Sequence, residues 1–170
     1  GSCYAAAANR SHEATKPEKR VRTLYYEDIE VDARLESPWV VVSGEDIVSF
    51  AEVWDPHPFH LSVEEGEGSI FGGLAACAAH IFALQSRLTH DLPAQAALVA
   101  GLGGDGLELL SPVLAGQRLR LVRRFSEKRR SNSQPGCGVV GIEHTLENPE
   151  GTLLFRTKGF ILVACRPPNS

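Results

Sequence analysis

The 170-residue chain has no methionine, no CxxC pair, no apolar run approaching the ~20 residues that a membrane helix needs, and no surplus of basic residues. Each absence removes a class of function. Cys3, Cys77, Cys137 and Cys165 are widely spaced, so neither a zinc knuckle nor a disulfide framework is indicated, and a reducing, cytoplasmic setting is expected. A net charge of -4 gives no whole-chain attraction to nucleic acid or to anionic membranes. Residues 1–22 are polar or small, without a sustained period, and lack the apolar core of a secretory signal. They read as a mobile arm whose opening Gly1-Ser2 looks like a tag remnant.

With 43% hydrophobic and 22% charged residues the chain matches soluble globular proteins, and at this length one domain is the default. The domain is placed at 23–166, with 167–170 as a C-terminal tail. "LYYEDIEVDARLESPWVVVS" suggests an extended opening segment and a strand ending near Val42. "SGEDIVSFAEVW" starts at Ser43, carries Asp46 three residues on, and spaces Ile47, Phe50, Ala51 and Trp54 as a helix. Pro56 and Pro58 forbid its continuation. From Phe71, "FGGLAACAAHIFALQSRLTHDLP" predicts a helix of about 18 residues, small and apolar on nearly all sides near its start and therefore buried. The remainder reads as strands separated by turn signals at Ser111-Pro112, Gly116, Pro135-Gly136 and Asn148-Pro149-Glu150-Gly151. In "QRLRLVRRF" the alternation of Arg with Leu, Val and Phe gives one apolar and one charged face. A long buried helix followed by at least four antiparallel strands implies an α+β domain, a curled sheet around a helix.

The stretch "WDPHPFH", residues 54–60, concentrates Asp55, His57 and His60 in a proline-broken loop. Three readings of it stay open. It is a polar turn, since Asp before Pro starts turns; or a metal site, with His57 and His60 completed by Asp55 or His80; or an acid/base pair. On an unbroken helix residues 55 and 60 would point about 140° apart, but two prolines can aim both at one water. The metal reading is the weaker, because the pair does not sit on a helical HExxH face. An anion formed in such a reaction would find free backbone N–H groups at the start of the following helix.

"DPHPFH", followed eleven residues later by "FGGLAACAAH", resembles the MaoC-like dehydratases, the (R)-specific enoyl-CoA hydratase group of hot-dog proteins, and within them a branch with a DPQPFH loop and an FGGLIASGWHT helix start. "YYEDIEV", "GDGLELLSPVLAGQRL", "KRRSNSQPGCGVV" and "NPEGTLLF" extend the likeness over roughly residues 24–166. The resemblance implies a hot-dog fold paired as a homodimer, and hydration of a trans-2-enoyl-CoA to the (R)-3-hydroxyacyl-CoA without metal or redox cofactor. Asp55 and His60 take the places of the acid and base, and the backbone N–H of Ala78 that of the oxyanion donor. His57, Phe71, Gly72, Gly73 and His80 fall at substrate-binding positions, and Arg129 and Arg130 are candidates for the nucleotide phosphates. Three positions depart from the pattern: His57 stands for Asn or Gln, Ala78 for Gly, and Ala79 for Trp.

Outside the loop, His80 reads as a hydrogen-bonded core histidine. Arg123, Arg124, Lys128, Arg129 and Arg130 read as a solvated strand end, with too few interleaved aromatics for a nucleic-acid surface. Two alternatives to the lyase keep the fold: an acyl-CoA thioesterase and a non-catalytic acyl-CoA binder.

Overall fold

A computed structural model describes residues 21–168. The arm expected over 1–22 therefore lies outside the described residues up to position 20, and Arg22 opens the first strand. In chain order the elements are β1 (Arg22–Leu24), a 3-10 turn (Tyr26–Asp28), β2 (Arg34–Glu36), β3 (Val40–Val41), α1 (Gly44–Trp54), α2 (Pro58–Leu61), α3 (Val63–Glu67), α4 (Ala78–Thr89), β4 (Ala94–Ala96), β5 (Leu98–Leu109), β6 (Arg118–Arg130), β7 (Cys137–Glu147) and β8 (Leu153–Ala164). The main sheet runs in the order β2-β6-β7-β8-β5, with β3 also on β6, and all its pairings are antiparallel. β1 and β4 form a separate parallel pair. The layout is the expected α+β one, with α4 laid across the inner face of the sheet.

Two apolar clusters hold α1, α4 and the 3-10 turn against that face. Near the α4 start, Ile47 and Ile81 pack with Leu119, Leu121, Leu146 and Phe155; at the other end Tyr26 and Ile29 pack with Phe125, Val140 and Val163. Gly138 of β7 permits the second cluster: a Cβ there would lie 2.0 Å from the Tyr26 ring, so only glycine lets this aromatic rest on the strand.

The central helix differs from its prediction. It begins at Ala78 rather than near Phe71 and has 12 residues. Gly72 adopts φ +69 and turns the chain. Residues 74–76 then run extended, with the Ala76 N–H donating to Val113 O at 2.8 Å and the Ala115 N–H to Leu74 O at 2.9 Å. Pairing with the β5–β6 loop satisfies these backbone groups and removes the reason for a longer helix. Nor is α4 buried all round: Ala78, Ala79, Phe82, Ala83, Ser86 and Arg87 are exposed, because the sheet covers one side only.

Arg123 is a second correction. Alternation along β6 sets Leu119, Leu121, Arg123 and Phe125 on one face, so this arginine lies buried between the two clusters rather than at a solvated strand end. Its Nε donates to Nε2 of His144, the residue opposite on β7, at 2.8 Å. Burial and the Arg123 charge hold His144 down at about 3, and burial lowers Arg123 to about 10.

A stability effect follows. The folded value of His144 lies below the ordinary one near 6.5, so in the window between them the unfolded chain binds a proton that the fold does not. Stability is therefore full above about pH 6.5 and lost as pH falls toward about 3, by up to ~1.4 kcal/mol per pH unit for one proton. Denaturant unfolding at a series of pH values should show this slope, and His144→Gln should flatten it by about one proton. An unchanged slope would mean His144 titrates normally in the fold.

Candidate active site

The site forms where α1, α2, the extended 74–76 segment and α4 converge. Ser43 starts α1 by accepting the Asp46 N–H at 3.3 Å, and the acidic Glu45 and Asp46 suit its positive end. Asp55 closes the helix as C-cap through its own N–H to Ala51 O at 2.9 Å, which leaves the carboxylate free of capping. The His57 N–H donates to Asp55 O at 2.8 Å, and Pro58 stands at the first position of the one-turn α2, where its missing N–H costs nothing. The two prolines thus end one helix and begin another, and His60 points back toward Asp55.

His60 is buried, and its Nδ1 lies 2.6 Å from the Ala75 carbonyl oxygen. A carbonyl can only accept, so Nδ1 carries the proton and the neutral ring presents its Nε2 lone pair. That nitrogen is 3.9 Å from Asp55 Oδ2. The separation is too long for a direct hydrogen bond, yet a water about 2.8 Å from each atom fits at the apex of the triangle. Phe59 meets the His60 ring edge-on at 4.5 Å, and Phe71 lies at 6.2 Å. Among the described residues the ring's one direct hydrogen bond is to Ala75, which fixes its orientation.

Ala75 in turn is held by packing. α3 sits directly on the turn ahead of it: Gly66 O accepts the Gly73 N–H at 3.0 Å, and a Cβ on Gly66 would lie 2.5 Å from Gly73 O. Ala78, the first residue of α4, has no intrahelical acceptor for its N–H, and no acidic residue occupies that first turn. A cavity of about 370 Å³ joins these groups, lined by Asp55, His60, Phe71, Ala78, Ile81 and the 109–113 segment. The arrangement offers a proton acceptor, a carboxylate, and a backbone donor at the positive end of a helix, facing one apolar space.

The remaining predicted residues are placed elsewhere. His57 stands at the rim, 64% exposed, with Nε2 3.5 Å from Asp55 Oδ1 and its ring stacked on Phe59. Gly72 and Gly73 shape the turn and do not line the cavity. His80 is buried on the far side of α4, stacked on Phe50 at 4.7 Å; its Nδ1 has no hydrogen-bond partner among the described residues, contrary to the expected hydrogen-bonded histidine, and burial lowers its pKa. Arg129 and Arg130 are at the distal end of β6, about 30 Å along the strand from Leu121, whose row leads to Leu109 at the cavity. Arg130 pairs there with Glu27 at 3.2 Å and covers the Tyr26 ring. Within one chain they do not join the dyad. Conversely, Leu109, Leu110 and Ser111 line the cavity without having been singled out, although Ser111-Pro112 was visible as a turn. Among the described residues no group of three His, Cys, Asp or Glu side chains could hold a metal ion, and no helix is long and apolar enough to cross a membrane.

Comparison with known proteins bears on the family and the fold. The family model of the MaoC like domain matches residues 28–148. The crystal structure of a MaoC-like dehydratase from Rhodospirillum rubrum is similar with a TM-score of 0.78 and 31% identity, covering 85% of this chain and 99% of that one. An (R)-hydratase from Pseudomonas aeruginosa shares the fold at 22% identity and a TM-score of 0.65, over 86% of this chain and 95% of its own. A Mycobacterium tuberculosis protein with a double hot-dog fold gives 15% identity and a TM-score of 0.66, with 87% of this chain covering 46% of that one. No curated protein sequence matches the chain significantly. A family match across most of the folded region, joined to an antiparallel sheet and central helix shared almost end to end with a family structure, leads to one conclusion: the chain belongs to the MaoC-like dehydratase family and has a hot-dog fold.

Proposed function

We propose that the protein is a hydro-lyase that adds water reversibly to a trans-2-enoyl-CoA, giving the (R)-3-hydroxyacyl-CoA. The observation that carries this reading is the 3.9 Å gap between Asp55 Oδ2 and the lone-pair nitrogen of His60, opening on a cavity that also contains Ala78. A water held by both groups gives one proton to His60 Nε2 as its oxygen bonds to C3. The C2–C3 π electrons move toward C1, and the resulting enolate oxygen is met by the Ala78 N–H. His60 then returns the proton to C2, and Asp55, which orients the water, stabilises the transient imidazolium. Atoms balance with water alone and no electron acceptor is required, so the proposal includes no cofactor.

The partner we propose is a second copy of the chain. β5 is an edge of the sheet, and Val99 and Leu102 along it are exposed, an arrangement that favours strand-to-strand pairing. Free Cys77, Cys137 and Cys165 are compatible with a reducing, cytoplasmic setting. Incubation with crotonyl-CoA and longer 2-enoyl-CoA esters should remove the enoyl-thioester absorbance without releasing free thiol. Thiol release with the absorbance change following it would instead make the protein a thioesterase.

A further inference from the structure

A second cavity, of about 680 Å³, is lined by the next residues along α4 and β5 from those that line the first. On α4, Ala78 and Ile81 face the first cavity, whereas Phe82 and Gln85 face the second; on β5, Leu109 faces the first and Leu107 the second. The seven steps from Ala78 to Gln85 correspond to about 10 Å along the helix. Across the floor runs a polar row in an otherwise apolar sheet face: Arg123, His144 and Thr157 are directly opposite one another on β6, β7 and β8. Thr157 is held by its hydroxyl donating to Gln85 Oε1 at 2.8 Å, and Arg123 by its Nε donating to His144.

Arg123 makes one hydrogen bond to the described residues. Its side chain is a five-donor cation buried in the interior, and its one hydrogen-bond partner among the described residues is a neutral ring. Among the described side chains no carboxylate pairs with it, and no described carboxylate lines the chamber. A buried guanidinium without an anion is costly, and proteins that retain one normally pair it. The outer edge of the guanidinium has the planar fork that accepts a carboxylate through two parallel hydrogen bonds, and the chamber gives access to it. The Phe82 and Leu107 walls suit methylene groups leading to that point.

We propose that this chamber receives the far end of the acyl chain and selects a terminal carboxylate there, so that the substrate class is an enoyl thioester bearing a second acid group held by Arg123. The assignment rests on the lyase reading for the position of the thioester, but binding can be measured without turnover. The test is calorimetric titration of two saturated, unreactive CoA thioesters of equal carbon count, one ending in a carboxylate and one in a methyl group. Wild type should bind the carboxyl-ended ester about tenfold or more tightly, and Arg123→Met should abolish the difference. Equal affinities in wild type, or a preference that survives Arg123→Met, would overturn the proposal. Should Arg123→Met not fold, the wild-type comparison decides by itself. A free dicarboxylate is titrated in parallel: Arg123-dependent binding of it, with no advantage for the carboxyl-ended thioester, would also overturn the assignment to the acyl chain. Hydration of methyl-ended enoyl-CoA is scored separately. Its absence counts against the lyase and leaves the affinity comparison intact.

Discussion

Asp55→Asn and His60→Ala should each reduce kcat/KM for enoyl-CoA hydration by more than about a hundredfold, the scale of a positioned acid/base group. The asparagine variant is the cleaner of the two. Asp55 caps α1 through its backbone, so an isosteric amide leaves the helix end unchanged while removing the negative charge that faces the ring. His60→Ala also empties a buried position and loses the hydrogen bond to Ala75, so its folding should be checked by thermal unfolding alongside the rate. Because both groups act on a single water, the double variant should be little worse than the worse single one, not the product of the two. Steady-state rates that remain within a few fold of wild type in both variants would remove the dyad.

Ala78→Pro should cost about 10²–10³ in kcat with little loss of stability, the scale of one oxyanion donor. This separation of effects is possible because of where Ala78 sits. As the first residue of α4 it occupies a position that proline tolerates, and Cys77 before it already has the extended geometry, φ -72 and ψ 159, that a following proline requires. The substitution deletes the N–H and leaves the helix. Ala78→Gly keeps the N–H and should keep the activity; if Pro and Gly variants turn over alike, the donor is another group. Circular dichroism and the unfolding midpoint of each variant report whether the helix start has been preserved.

Much of the site was legible in the chain because its parts are close together in sequence. Ser43 with Asp46, the two prolines and the Asp55–His60 spacing are local signals, and the structure shows them acting locally as a cap, a helix stop and a new helix start. The strand pattern was legible for the same reason: alternation along β6 follows from the period of the backbone and needs no knowledge of partners. Where partners matter, the reading went astray. Residues 71–77 have helix-compatible composition, but their backbone groups are claimed by the β5–β6 loop, which is remote in sequence. His80 was rightly placed inside, yet that a phenylalanine ring stacks on it depends on how α1 crosses α4. Arg129 and Arg130 stand in a basic run whose distance from the dyad is set by the length of β6 and the direction in which it runs. Arg123 is the most instructive case. The run of charges suggested a solvated strand end, whereas its parity with Leu119, Leu121 and Phe125 places it inside.

The sequence by itself determined the family, the α+β class and the presence of Asp55 and His60 on a proline-bent loop, because these depend on residue type, short spacings and the two periods of the backbone. The tertiary structure decided the rest. It supplied the Ala75 carbonyl that sets the tautomer of His60, the shorter helix that puts the Ala78 N–H at the cavity, and the cross-strand row that brings Arg123 to His144 and Thr157. Each of these joins segments distant along the chain, where strand register and packing, not local preference, fix which atoms meet.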